Sequence, residues 1–193
     1  MRIVAIAAIT LDGKIALGPE HFSDWTSPED KVFMRGLLDE ADVIVVGNNT
    51  YKTAMEPLSK RNCIVLTASV TTTERRADNL LLWNPAGADY SSVLQNYKTV
   101  ALLGGAKTYS FFLQNNLLHE LYLTIEPLVF GRGISLFAHL EGPPARFALL
   151  SVQKLNEDGT VLLHYCSTAC TTRRVSLSAA TRTPRPSTGS GRR

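Results

Sequence analysis

Short, nearly continuous apolar runs, each followed by a helical or turn pattern, constrain this chain most. They are "RIVAIAAI" (residues 2–9), "DVIVVG" (42–47), "NCIVLT" (62–67), "LLLW" (80–83) and "TVALLGG" (99–105). Such runs suit strands covered on both faces. Between them lie stretches with helical spacing. In "SPEDKVFMRGLLDEA", Ser27 is a natural N-cap and Pro28 fits the first helical position. Asp30 stands three residues after Ser27, a loose capping box with Asp in place of Glu. Val32, Phe33, Gly36, Leu37 and Leu38 are spaced as a buried stripe. "NNTYKTAM", "DYSSVLQNY" and "AKTYSFFLQNNLL" read as further helices, and "HELYLTIEPLVFG" as a long strand. "ARFALLSVQKLNEDGTVLLHYC" reads as a hairpin turning at Asp158-Gly159. The alternation predicts an α/β fold with a mostly parallel central sheet and antiparallel strands from the C-terminal hairpin.

Residues 1–166 are expected to form one domain. Residues 167–193 are rich in Ser, Thr, Arg and Pro, with only Val175 and Leu177 as large apolar side chains. That segment cannot bury enough surface to fold alone and is expected to be disordered. It also distorts the charge. The net charge is +3, yet residues 167–193 carry six arginines and no acid. Removing those six from the 20 basic residues leaves 14 against 17 acidic ones, so the body is mildly acidic. A nucleic-acid role would have to reside in the tail and is not expected of the body. No apolar run reaches the roughly 18–20 residues of a membrane helix, and the N-terminus lacks a small-residue cleavage site. The cytoplasm is therefore the expected location. Cys63, Cys166 and Cys170 form no disulfide framework, and no metal site is expected from their spacing.

Three features bear on chemistry. No GxGxxG follows the first strand. Instead, the fifth apolar run ends at Gly104-Gly105 and a helical pattern begins at once. The junction is either a tight turn or a place where backbone approaches a phosphate at a helix N-terminus. "VVGNNTY" repeats the arrangement at Gly47, with Thr50 placed to cap a helix or touch a phosphate. In open α/β sheets, ligands bind beyond the carboxyl ends of strands. Asp30 is either a charge that stabilises a helix start or a functional carboxylate.

These segments, in this order, resemble the dihydrofolate-reductase-like superfamily: "AAITLDGKIA", "WTSPEDKVFMRGLLDEADVIVVGNNTY", "PLSKRNCIVLT", "LLGGAKTYSFFL" and "ELYLTIEPLVFGRGISLF". "LDGKIA" and "EPLVFGRG" are most similar to the reductase domain of the bifunctional riboflavin-biosynthesis deaminase-reductase. The resemblance implies a three-layer fold with an eight-stranded sheet and an NADPH-dependent reductase acting on a pyrimidine or pterin. It implies that Gly104, Gly105, Ala106, Lys107, Thr108 and Tyr109 wrap the cofactor pyrophosphate, through a cis peptide at the glycines. By the same resemblance, Gly47 and Thr50 contact phosphate, Thr67 and Ser69 lie near the adenosine phosphate, and Ala8 and Ile15 line the nicotinamide. Asp30 matches the catalytic and substrate-facing carboxylate. Thr124 matches the strand threonine that supports that carboxylate and the substrate ring, and Thr124 and Glu126 are expected, with Asp30, to bind the substrate. Asn48 stands where the family's arginine holds the 2′-phosphate, which leaves NADH open beside NADPH; Lys52, Arg75 and Arg76 are the substitutes in reach. "TAMEPLSKR" replaces the acidic segment usual in the riboflavin-type enzymes, and no deaminase signature is present. Dihydrofolate reductase is the second reading, and a nucleotide-binding module without catalysis is the reading outside enzymes. The resemblance is also compatible with a homodimer through the C-terminal strands.

Overall fold

A computed structural model describes residues 1–168, so the tail expected from Ser167 lies almost wholly outside the described residues. The strands are β1 (Arg2–Thr10), β2 (Lys14–Ala16), β3 (Val43–Gly47), β4 (Cys63–Leu66), β5 (Thr73–Ala77) and β6 (Leu80–Trp83). They continue as β7 (Thr99–Leu102), β8 (Glu120–Glu126), β9 (Ile134–Ser135), β10 (Phe147–Lys154) and β11 (Val161–Ser167). The helices are α1 (Pro28–Asp39), α2 (Asn48–Thr53), α3 (Met55–Leu58), α4 (Tyr90–Leu94) and α5 (Ala106–Gln114). A single 3-10 turn spans Ser23–Trp25.

Nine strands form one sheet in the order β10-β11-β8-β1-β7-β3-β4-β6-β5. The run from β8 to β6 is parallel throughout. The β10–β11 hairpin adds antiparallel strands at one edge, turning at Gly159 with φ +103. At the other edge, β5 pairs antiparallel with β6. This is the strand beyond the eight implied by the resemblance. Every residue of β5 is exposed, so its sequence carries no apolar signal.

The continuous apolar runs follow from burial on both faces. Ile3, Ala5 and Ala7 of β1 enter one core with Trp83, Phe112 and Leu118. Val4 and Ile6 enter the other with Leu38 and Leu58. β3 divides in the same way, Val43 and Val45 against Ile44 and Val46. Side chains of a strand alternate between faces, so two covered faces demand an apolar residue at every position.

Two expectations shift. In α1, Val32 is 63% exposed and Gly36 faces solvent. The inner face carries Asp30, Met34, Leu37 and Leu38. Val32 and Gly36 stand four residues apart and share the opposite, outer face. The long strand expected through residue 131 stops at Glu126, because Pro127 has no N–H for a ladder.

Candidate functional site

The strand ends that point the same way open into a cleft of about 1370 Å³. Its middle is built from the two glycine junctions. The Leu103 N–H donates to the Val45 carbonyl at 3.0 Å, and the Gly47 N–H donates to the Gly104 carbonyl at 2.6 Å. The Gly104-Gly105 peptide is cis, and Gly104 has φ +100. A Cβ on Gly104 would stand 3.2 Å from Tyr109 Oη, and one on Gly47 would stand 3.0 Å from Thr108 Oγ1. A Cβ on Gly105 would meet only Thr50 Oγ1, at 3.4 Å. Gly105 is also the N-cap of α5 and caps it with no side chain. The Thr108 N–H donates to the Gly105 carbonyl at 2.9 Å, so the helix start offers the amides of Ala106 and Lys107, with their partial positive charge.

Gly47, Thr50, Gly104, Gly105, Ala106, Lys107, Thr108 and Tyr109 all line the cleft, as do Ala8, Ile15 and Thr67. Their roles differ. Tyr109 is 3% exposed, and its hydroxyl donates to the Ile6 carbonyl at 2.6 Å. Burial, and then the nearby Asp30 charge, push its ionisation up. It holds α5 against β1 as a neutral phenol. Ser69 lies outside the lining and meets the site only through Thr67, whose hydroxyl donates to Ser69 Oγ at 3.0 Å and accepts from the Ser69 N–H at 3.1 Å.

The wall beside Ala8 is a two-stranded flap. β2 pairs with β9, Lys14 opposite Ser135 and Ala16 opposite Ile134. Gly133 is required there, because a Cβ would fall 2.3 Å from the Ala16 carbonyl oxygen. The Asp12 carboxylate ties the two loops together. It accepts from the Thr10 hydroxyl at 2.6 Å, the Phe130 N–H at 3.1 Å and the Gly131 N–H at 2.9 Å. The hydroxyl first, and then the two amides, hold its carboxyl below the usual range.

Asp30 is a buried carboxyl, 6% exposed, that reaches the cleft. Ser27 caps α1 by accepting from the Asp30 N–H at 3.3 Å, which fixes the carboxylate in the first turn. Burial pushes the Asp30 carboxyl up from its ordinary value. Hydrogen bonds with Thr124 and Thr26 oppose that rise, the Glu126 charge adds to it, and Lys31 opposes it. Thr124 is buried behind the lining and reaches the cleft through Asp30.

Glu126 is placed differently from its expected substrate contact. It lies outside the lining, and both of its oxygens are taken by protein. Oε1 accepts from the Ser27 N–H at 2.7 Å and Oε2 from the Thr160 hydroxyl at 2.7 Å. Lys52, Arg75 and Arg76, the expected substitutes for the missing arginine, also lie outside it. Arg75 donates to the Asp78 carbonyl at 2.8 Å, and Arg76 pairs with Glu74 at 3.0 Å. Asn48 does line the cleft.

No sequence motif marks the cations of α1, and Trp25 stands out only as the residue followed by Asp30 that favours the dihydrofolate-reductase reading. Trp25 lines the cleft, and its Nε1 is buried and without a hydrogen-bond partner among the described residues. Its ring packs edge-on against Phe130 at 5.1 Å, so the donor is held in place. Lys31, Arg35 and Arg61 line the arm of the cleft beside α1. Their i, i+4 spacing in α1 was the available signal for Lys31 and Arg35.

An open, mostly parallel sheet with an antiparallel C-terminal hairpin and a glycine-lined cleft across its strand ends defines a dihydrofolate-reductase-like α/β fold. Residues 2–158 match the family described as dihydrofolate reductase, and the chain belongs to that family. It is 25% identical over 174 residues to the uncharacterised protein YwjB of Bacillus subtilis (strain 168), covering 85% of this chain and 97% of that one. A putative riboflavin biosynthesis protein from Shewanella sp. PV-4 superimposes with a TM-score of 0.70 at 22% identity, over 87% of this chain and 99% of that one. Dihydrofolate reductase from Enterococcus faecalis, complexed with NADP(H), gives a TM-score of 0.61 at 19% identity, over 86% and 96%. No helix among the described residues is long and apolar enough to cross a membrane.

Proposed function

We propose that this protein is an NADPH- or NADH-dependent reductase of the riboflavin-biosynthesis type, which reduces the ribose of a ribosylaminopyrimidine phosphate to a ribityl chain. The observation that carries the reading is Asp30: a buried carboxyl at a glycine-lined cleft, in no salt bridge among the described residues. Natural chains keep such a group when it is used.

The residues fit a dinucleotide. Gly105 leaves open space that a Cβ would narrow, Gly47 and Gly104 let Thr108 and Tyr109 pack against the junction, and the uncapped start of α5 offers amides to a pyrophosphate. Ala8 and Ile15 offer an apolar wall to a nicotinamide ring. Once bound, the cofactor supplies the hydride. The Asp30 carboxyl, pushed up by burial, would give its proton to the nitrogen of the ring-opened ribosyl imine as hydride reaches the ribose C1 carbon. Thr124 and Thr26 orient it. Lys31, Arg35 and Arg61 suit a substrate phosphate. The flap of β2 and β9 walls off water on one side.

The purified protein is tested with NADPH and with NADH against a ribosylaminopyrimidine phosphate and against dihydrofolate. Cofactor oxidation on the first substrate supports the reading. Clean oxidation on dihydrofolate alone overturns it. The second reading, dihydrofolate reductase, is favoured by the unused Trp25 N–H five residues before Asp30. That pair presents a donor and an acceptor to a pterin. Absence of methotrexate binding would count against it.

The same reading carries a homodimer through the C-terminal strands. β10 is an edge strand that exposes Leu149, Leu150 and Val152, an apolar surface that a second copy would cover. Val152→Lys is expected to convert the dimer to a monomer by sedimentation; a wild-type monomer at all concentrations removes the idea.

A further inference from the structure

Glu126 is a buried carboxylate that no catalytic step above uses. It is 3% exposed and has no salt-bridge partner among the described residues. Burying a carboxylate without a counter-charge is costly unless its oxygens are well hydrogen-bonded. Here the partners are specific. The Ser27 N–H belongs to the N-cap of α1, one turn before Asp30. The Thr160 hydroxyl belongs to the foot of the β10–β11 hairpin. Thr160 is itself held by Asn156, whose Oδ1 accepts the Thr160 N–H at 3.0 Å. The Asn156 amide donates to Thr160 Oγ1 and to Glu29 Oε2, each at 3.1 Å.

Thr124 and Glu126 stand two apart on β8 and so share a face. Thr124 meets the Asp30 carboxylate, and Glu126 grips the backbone from which Asp30 projects. We infer that Glu126 is a positioning residue for Asp30, acting through the Ser27 amide and through its own charge. The inference rests on the reading of Asp30 as the proton-carrying group of the site.

The two modes separate chemically. The grip needs an acceptor of the right reach; the charge needs only to be negative and near. Besides Glu126, the ionisable groups about Asp30 are Lys31 on the same helix and Tyr109 on α5. Lys31 donates to the Asp24 carbonyl at 3.2 Å, and Glu29, next to Asp30 in sequence, is engaged by Asn156. Tyr109 is neutral, so Glu126 is the negative charge acting on Asp30.

Glu126→Gln keeps the reach. Its Oε1 accepts from Ser27, and its amide donates to Thr160 Oγ1, which has a second lone pair for Asn156. The charge is lost, and with it the acceptor of the Thr160 hydroxyl hydrogen. Glu126→Asp keeps the charge and shortens the reach by one methylene. Carboxyl 13C NMR titration of the full-length protein, with Asp30→Asn to assign the signal, reads Asp30 directly. In Glu126→Gln the Asp30 midpoint moves to lower pH, and the alkaline limb of the pH–rate profile moves with it. In Glu126→Asp the midpoint does not fall, while the melting temperature drops and KM rises as the helix start loosens. An Asp30 midpoint unmoved or raised in folded Glu126→Gln overturns the inference. Should that variant not fold, a lowered midpoint or an unchanged melting temperature in Glu126→Asp overturns it. The titration needs no substrate, so it judges Glu126 whether or not the protein reduces a pyrimidine.

Discussion

Replacing Asp30 with Asn is expected to make the protein more stable at neutral pH while removing its activity. The sign follows from the site. Burial, opposed by hydrogen bonds with Thr124 and Thr26, leaves the carboxyl above its ordinary value of 3.8. A folded-state value above the unfolded one means that the stability Asp30 contributes is complete below about 3.8 and is lost as pH rises through the folded value. Above the folded value, the folded chain bears in a desolvated form the charge that the unfolded chain bears in water. Asn is nearly isosteric, and its Oδ1 and Nδ2 keep both threonines in play, since a hydroxyl donates or accepts. What leaves is the desolvation of the charge and the repulsion from Glu126. What is forfeited is the attraction to Lys31, a half-buried lysine whose charge solvent screens. A net gain of about 1 kcal/mol is expected, in the range of single stabilising changes at functional sites. For a domain of this size that raises Tm by roughly 2–4 °C. Hydride transfer should fall by about 10²–10⁴-fold. Thermal melts at several pH values, beside an NADPH oxidation assay, measure both. The gap between the two proteins should open with rising pH and close near pH 3. A variant that melts lower than wild type at pH 7 would show instead that the charge is part of the scaffold.

The glycine junction and the distal charges give further tests. Gly105→Ala places its Cβ 3.4 Å from Thr50 Oγ1 with an ordinary φ of −77, so Tm should hold while NADPH affinity falls by about tenfold or more, or 1.4 kcal/mol. Retained affinity in a thermal-shift titration would reduce the junction to a turn. Asn48→Arg adds a guanidinium fork to a cleft residue and should strengthen NADPH by about tenfold with little effect on NADH; equal gains for both would show that the fork misses the 2′-phosphate. Glu120 is held down to about 2, first by Arg2 and then by His164, so its stabilisation is present above 4.5 and is lost as pH falls toward 2. Glu120→Gln should cost about 1 kcal/mol at pH 7, a difference that shrinks below pH 4.5, with activity unchanged; a pH-independent loss in the melts would contradict this.

What the sequence disclosed, and what it withheld, follows from how many segments set each feature. The cap at Ser27-Pro28 fixes where α1 begins, so the place of Asp30 could be read from one stretch. The same holds for Gly47 and for Gly104-Gly105, where apolar runs end in glycine and a helix follows. β1 and β3 were legible because two cores claim alternate residues of each. β5 was not, since its five exposed residues contribute only backbone pairing to β6. Trp25 is fixed at the cleft wall because Phe130 braces its ring, and Phe130 is in turn held by Asp12; three distant segments set one side chain. Glu126 shows the limit most sharply. Its position on β8, two residues after Thr124, gives it the face of a ligand contact. Only the fold shows that the Ser27 amide and the Thr160 hydroxyl occupy both oxygens. A carboxylate can be read from a strand pattern, but its role depends on which backbone fills the space before it. In this chain that backbone belongs to the helix start that carries the other carboxylate, so both acids meet at a single cap.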